Sequence, residues 1–317
     1  MPALLPMLAS PTRSVPSGEQ WQHEVKWDGL RTLVTLTADD VRLTSRNGNV
    51  ITAAWPELTA APSGWGTAGE TVLDGEIIAL NDRGLPDFRV LADRMHVRRP
   101  ALVARLAAQV PATLMVFDVL RLRGRDLCRE PLEQRRSILE SLDLAATGWQ
   151  VPVVYDDGAM LLEATRLQGL EGVVSKRRDS VYRPGERSPH WLKLAHRHRG
   201  TYVVGGWRPQ VGTRDRLASL LVGEVTDGGL AYRGRVGSGI SGERSRVLAD
   251  LLAPIVRAES PFADDVPRED ATGTTWVEPV VVVDVDTHGR GYRRLRQPSF
   301  QGVRSDVTPA DLATGDR

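Results

Sequence analysis

His23-Glu24-Val25-Lys26-Trp27-Asp28-Gly29-Leu30-Arg31 holds one of only three lysines in 317 residues. The chain has 41 Lys plus Arg, so 38 of its positive charges are arginine (41 minus 3). A generic surface cation here is an arginine, and lysine marks places where arginine does not serve. Two jobs fit. An ammonium can lose its proton and attack as an amine, which a guanidinium effectively cannot. An ammonium is also a compact point charge for a phosphate where a planar fork does not fit. Lys26 lies in Lys-x-Asp-Gly, Lys176 closes Glu171-Gly172-Val173-Val174-Ser175-Lys176, and Lys193 lies in Trp191-Leu192-Lys193-Leu194. Any one of these alone is as compatible with an ordinary strand residue as with a reactive one.

The length suggests two domains of roughly 100–200 residues each. A hydrophobic content of 41% and a charged content of 26% are those of a globular chain able to bury a sizeable core. No apolar run reaches transmembrane length, and residues 1–16 lack a charged segment ahead of a long apolar one. Neither a membrane partner nor a secretory leader is expected. The single cysteine, Cys128, rules out an internal disulfide and fits a reducing, cytoplasmic setting. The net charge of +1 announces no nucleic-acid partner for the chain as a whole. Local clusters say more: Arg121, Arg123, Arg125 and Arg129; Lys176, Arg177 and Arg178; Arg293, Arg294 and Arg296. Such groups neutralise phosphates or form solvated faces, and either reading stays open for each. The six histidines show no metal-ligand spacing.

In order, residues 1–20 carry four prolines and read as a lead-in arm. Residues 22–37 alternate and predict one strand, and 41–46 the returning one, closed by the Asn47-Gly48 turn. Residues 71–80 predict a strand, 87–96 and 101–109 helices. Residues 113–122 predict a buried strand in which the carboxylate of Asp118 needs a partner. A helix over 131–142, a strand over 151–155 and a helix over 158–168 follow, then the strand 171–176, a polar loop 177–189 and the strand 191–194. At about residue 197 the texture turns to Gly and Val with short strand-like runs, one helix candidate (241–252), a long strand (275–285) and a basic tail (290–304). This pattern predicts a small β-barrel, of which the OB type is one candidate.

Taken together, these motifs resemble the ATP-dependent DNA ligases of the covalent nucleotidyltransferase superfamily, most of all the ligase module of bacterial DNA ligase D. Lys26-Trp27-Asp28-Gly29, Ser45-Arg46-Asn47-Gly48, Asp74-Gly75-Glu76, Phe117-Asp118-Val119-Leu120, Glu171 to Lys176 and Trp191-Leu192-Lys193 stand in the family's order. So do Leu295-Arg296-Gln297-Pro298-Ser299-Phe300 through Asp306, with Val204-Gly205-Gly206-Trp207 and Gly234-Arg235-Val236-Gly237 between. The resemblance implies an α+β fold: an adenylation domain with ATP-grasp-like antiparallel sheets over 1–197, then an OB-fold barrel over 198–317. It implies ATP as AMP donor, Mg2+ or Mn2+ as metal, nicked duplex DNA as substrate, and a monomer working with Ku or other end-joining proteins near the nucleoid. It assigns Lys26 as nucleophile, its pKa lowered by burial and nearby cations, and Asp28 as an orienting group. Glu24 would read the adenine, Phe117 would stack on it, and Lys176 and Lys193 would hold the α-phosphate. Arg31, Arg46 and Arg304 would contact the nucleotide or the nick phosphate. Glu171 would hold metal, and Glu76 ribose or metal.

Two positions depart from the family pattern. Ala195 and Val307 stand where the family carries lysines, and neither has become arginine. Arg197 or Arg178 is the expected substitute near Ala195. One lost phosphate contact costs about 1.5–3 kcal/mol, roughly ten- to hundredfold in rate. The expectation is a slow or step-impaired DNA ligase. The alternatives are a nick-binding accessory protein that has lost self-adenylation, and an RNA ligase or capping-type enzyme.

Overall fold

The computed structural model describes residues 4–60, 69–95, 97–142, 144, 148–210, 212–213, 216–289 and 292–314. The chain divides into two units, Met1–His196 and Arg197–Arg317.

The first unit holds two sheets. One has four strands in the order Leu8–Pro11, Arg187–Ala195, Gly172–Arg177, Trp21–Val25. The other runs Val41–Ser45, Leu30–Leu36, Thr71–Ala79, Ala112–Leu122, Arg125–Asp126, with Trp149–Gln150 added in parallel beside Ala112–Leu122. The continuous alternation through residues 22–37 hides a break: Trp21–Val25 and Leu30–Leu36 belong to different sheets. Lys26-Trp27-Asp28-Gly29 is the crossing between them, so Lys26 sits in a loop and not in a strand. Gly29 permits the crossing, because a Cβ there would lie 2.3 Å from the Ile77 carbonyl oxygen. The lead-in arm is likewise partly a strand, with Leu8–Pro11 pairing in parallel with Arg187–Ala195. That pairing starts the last strand at Arg187, inside the stretch expected to be loop.

Period-two alternation in the second sheet feeds two cores. Val34, Leu36, Leu43, Leu73, Ile77, Leu114 and Val116 pack with Trp55, Leu91 and Trp149. Leu33, Val72, Phe117 and Leu120 pack the other way, against Met7, Tyr182 and Trp191 from the first sheet and its loops. Two bulges direct Ala112–Leu122. Asp74 pairs with Asp118 and Gly75 with Val116, which leaves Phe117 as the extra residue; Leu120 is extra in the same way. A bulge re-aims a side chain, and both extra residues face the inter-sheet core.

Helices Phe88–Met95, Pro100–Gln109, Leu132–Glu140 and Gly158–Leu167 complete the unit; position 96 of the first expected helix lies outside the described residues. The strand expected over 151–155 is displaced to Trp149–Gln150, because Pro152 has no N–H to give a ladder. Asp118 has its partner. Arg135 Nε and Nη2 each donate to it at 2.8 Å, with both side chains fully buried.

In the second unit His198–Pro209, Leu217–Thr226, Gly229–Val236, Val282–Thr287 and Ser299–Arg304 form an antiparallel sheet extended by Thr275–Val277 and Val256–Arg257. Ser238 bridges in parallel to Ser299, and Phe300 N–H donates to Ser238 O at 2.8 Å, closing the sheet into a barrel. Val204, Leu220, Val222, Val236, Val283 and Phe300 pack together with the helix Glu243–Leu252 through Leu248 and Leu252. The long strand expected over 275–285 is two strands, since Pro279 falls between them.

Candidate active site

The crossing from one sheet to the other delivers Lys26 to a pocket lined from both. Lys26 N–H donates to Gly172 O at 2.9 Å, which fixes the loop. Its Nζ lies 2.6 Å from Glu171 Oε2, both side chains being only partly exposed. Glu171 is itself held where its carbonyl accepts from His196 N–H at 2.8 Å. Arg31, Arg46, Lys176, Arg187 and Lys193 line the same pocket, so six cations surround a space with two acidic residues, Glu24 and Glu76, in its wall. That balance suits a polyanion with several phosphates. Burial pushes the Lys193 ammonium down, and Lys26, Arg187 and Arg46 push the same way.

The apolar end is built on Phe117 and Trp191, edge-on at 6.3 Å. Lys176 Nζ sits 4.2 Å from the Phe117 centroid and 4.3 Å from that of Trp191. It also donates to Glu24 Oε2 at 2.7 Å, and Gln22 Nε2 donates to Glu24 Oε1 at 3.3 Å. Burial pushes Lys176 down against the pull of Glu24. In this arrangement Lys176 is held by a carboxylate and two rings at the aromatic end. Arg31 is held as firmly, with Nε and Nη2 each donating to Asp74 at 2.6 Å and its guanidinium carbon 4.6 Å from the Phe117 centroid.

Burial pushes the Glu76 carboxyl up to about 8, against Arg31 and Lys26, and the neighbouring Glu171 and Asp74 charges add to the rise. At low pH folded and unfolded chains both hold the proton. Between the ordinary carboxylate range and about 8 the unfolded chain has lost it while the folded one keeps it. The unfolded state then binds fewer protons, so stability falls as pH rises through that window. Glu76→Gln is expected to match the parent near about pH 4 and to exceed it by a few kcal/mol near about pH 8 in urea unfolding. Parallel stability curves would refute this.

Among the described residues no group of three or more His, Cys, Asp and Glu gathers as a metal site. Glu76 and Glu171 are close enough to feel each other across Lys26. One or two carboxylates, completed by substrate phosphates and water, are the donors Mg2+ takes in nucleotide sites. The residues present fit that group.

A model of the ATP dependent DNA ligase domain matches residues 6–194, and one of the ATP dependent DNA ligase C terminal region matches 213–307. The chain belongs to the ATP-dependent DNA ligase family. It is 39% identical over 315 residues to the multifunctional non-homologous end joining DNA repair protein LigD of Mycobacterium tuberculosis, covering 98% of this chain and 39% of that protein. It thus spans about two fifths of the length of that relative. With DNA ligase C of the same organism it shares 33% identity over 260 residues, 79% of this chain and 71% of the relative. The structure of a mycobacterial DNA ligase D complexed with ATP and MES aligns over 98% of both chains at 37% identity and a TM-score of 0.57. These relatives are named as DNA ligases, which fits the leading expectation and not the RNA-ligase or capping alternative.

The expected residues fall in both units of the chain. Lys26, Glu24, Arg31, Arg46, Glu76, Phe117, Lys176 and Lys193 line one pocket, and Glu171 reaches it through Lys26. Asp28 accepts from Phe88 N–H at 3.4 Å, at the start of Phe88–Met95. Arg304 belongs to the second unit, where it pairs with Asp306 at 2.7 Å and with Asp284 at 3.4 Å. Arg178 is not placed to stand in for a lysine at position 195: its Nε donates to Glu19 O at 3.0 Å and its Nη2 to Asp156. Arg187, which no sequence motif singles out, lines the pocket and donates to Ala9 O at 2.6 Å. Val307 is a partly buried apolar contact, packing with Leu312 on the Val203–Leu221–Tyr232–Phe262 cluster. Its side chain now belongs to the barrel's outer core.

Proposed function

We propose that the chain is an ATP-dependent DNA ligase that seals nicks or breaks in duplex DNA, with residues 1–197 as adenylation domain and 198–317 as OB-fold domain. The observation that carries the reading is the pocket in which five other cations surround the Lys26 amine, in a chain of this family. Lys26 Nζ sheds a proton and attacks the α-phosphorus of ATP; a P–N bond forms and pyrophosphate leaves. A 5′-phosphate oxygen at the nick then takes the AMP and frees Lys26. The 3′-hydroxyl attacks that phosphate, a phosphodiester forms, and AMP leaves. All three are in-line displacements, so positioning and charge neutralisation carry the rate.

Lys176 and Lys193 would hold the α-phosphate, with Arg46 and Arg187 on the other phosphates; Phe117 would stack on adenine, and Glu24 would read its amino edge. Arg31 would contact the nucleotide or nick phosphate, and Asp28 would orient the loop. Glu171 and Glu76 would hold Mg2+ or Mn2+, which neutralises phosphate charge. Arg304 would add a nucleotide contact from the second domain.

DNA as acceptor is supported by a cleft on the second unit where Arg199, Arg233, Arg293 and Arg296 surround Tyr202 and Tyr292. The relatives' names support end joining as the pathway. Ku or other end-joining proteins would be its partners, and the chain would act as a monomer close to the nucleoid. No helix among the described residues is long and apolar enough to cross a membrane.

The test is sealing of a labelled nicked duplex with ATP and Mg2+ or Mn2+, followed on denaturing gels; a joined strand is expected. Nick binding with neither AMP uptake nor joining would favour the accessory reading. Binding of the nicked duplex should weaken on the order of a hundredfold or more between about 50 and 200 mM salt, with little dependence on sequence, as counterion release requires. Affinity flat in salt would count against phosphate contacts.

A further inference from the structure

Tyr182 lies in the polar stretch between Gly172–Arg177 and Arg187–Ala195, yet its side chain is buried. Its ring stands edge-on to Trp191, 5.8 Å away at 84°, and Trp191 stands edge-on to Phe117. The hydroxyl is committed on both sides. It accepts from Met7 N–H at 2.8 Å and donates to Asp74 Oδ2 at 2.6 Å. Asp74, fully buried, also takes both Arg31 bonds, and Arg31 Nη2 donates on to the Met7 carbonyl at 3.2 Å. Met7 backbone, Tyr182 hydroxyl, Asp74 carboxylate and Arg31 guanidinium thus close a ring.

Two corners of that ring touch the pocket. Arg31 lines it directly, over Phe117. Met7 leads straight into Leu8 and Ala9, which form part of its wall. The phenol is a good donor for this role: burial and the Asp74 charge push its pKa well up, so it keeps its proton. Removing only the hydroxyl would leave the Met7 N–H buried without its acceptor and Asp74 held by Arg31 alone. The carboxylate–guanidinium pair and the wall would then no longer be tied to each other through the phenol. An unmade buried hydrogen bond is costly, so the ring favours one arrangement.

We infer that Tyr182 is a positioning residue for the nucleotide, its hydroxyl setting through Asp74 and Met7 where Arg31 and the Leu8–Pro11 wall meet ATP. The inference rests on the proposed use of ATP at this pocket and adds to it a residue that does not itself line the site.

The test uses the full chain and Tyr182→Phe, which keeps the ring packing, beside Arg31→Lys and the double variant. Binding of α,β-methylene-ATP, which Lys26 cannot cleave, is measured by calorimetry, with thermal midpoints and with KM and kcat for self-adenylation. Tyr182→Phe is expected to raise Kd and KM about tenfold and to hold kcat within about threefold. The double variant should bind within about twofold of Arg31→Lys alone, because both act through one network. A tyrosine that only supports the fold would lower the midpoint and leave Kd and KM unchanged, and that result overturns the inference. So would two effects that simply multiply. A parent chain that binds the analogue but takes no AMP counts against the ligase reading alone, since the Kd comparison still decides the role of Tyr182.

Discussion

Lys26→Ala is expected to show no AMP adduct in intact mass after incubation with ATP and Mg2+ or Mn2+, where the parent gains one AMP. The loss should be at least about a thousandfold, because no second group can replace a missing nucleophile. Lys193 lines the same pocket, but its own strand Arg187–Ala195 fixes it there, and Lys176 is held by Glu24 at 2.7 Å. Neither lies in the loop whose backbone is pinned to Gly172 O. Lys26→Arg should be as inactive, since a guanidinium keeps its charge and cannot present a lone pair. The arginine variant separates charge from nucleophilicity: it can bind nucleotide and still form no P–N bond. The parent should first be stripped of bound AMP by excess pyrophosphate. An adduct surviving in Lys26→Ala would move the nucleophile to another residue. No adduct on the stripped parent with either metal would mean that Ala195 and Val307 have disabled the first step.

How much of this was legible in the sequence depends on the range of the interaction concerned. Lys26 stood out because the chain otherwise uses arginine, a compositional signal that needs no structure. Asp118 announced a partner because a carboxylate in an apolar strand is costly alone, though nothing local identified Arg135, seventeen residues on (135 minus 118). The break at residues 26–29 was not legible. Strand alternation runs unbroken through it, and which sheet each half joins is decided by Gly172–Arg177 and Thr71–Ala79, far along the chain. The aim of Phe117 depends on a bulge, which is a count of residues on two strands at once. Tyr182 lay hidden in a loop of Arg, Ser, Pro and Gly, where polarity suggested solvent; a large aromatic in such a stretch was the available signal. Val307 was read only as a missing lysine, and its apolar contact required the barrel surface to be known.

Asp118→Asn is expected to cost the first unit about 3–5 kcal/mol, because it leaves the buried Arg135 guanidinium without its counter-charge. Both side chains are fully buried, and two bonds of 2.8 Å join them, so solvent screens little of the loss. An asparagine amide would also turn a donor toward a donor. At about 2–4 °C per kcal/mol for a unit of this size, the thermal midpoint should fall by roughly 10 °C. Arg135 further donates to Glu130 O at 2.6 Å and Ser180 O at 3.0 Å, tying the Ala112–Leu122 strand and the Leu132–Glu140 helix to the loop that carries Tyr182. Replacing both partners by apolar residues, Asp118→Leu with Arg135→Met, should recover much of the stability, since no lone charge remains. Recovery should stay incomplete, because the Glu130 carbonyl loses its Arg135 donor, at about 1–3 kcal/mol for a buried group, and the Ser180 carbonyl keeps only Leu132 N–H. Unfolding of the full chain in urea, followed with the three variants side by side, distinguishes these outcomes. A single substitution costing under about 1 kcal/mol would mean that water reaches the pair and that the buried charge is not what holds strand, helix and loop together.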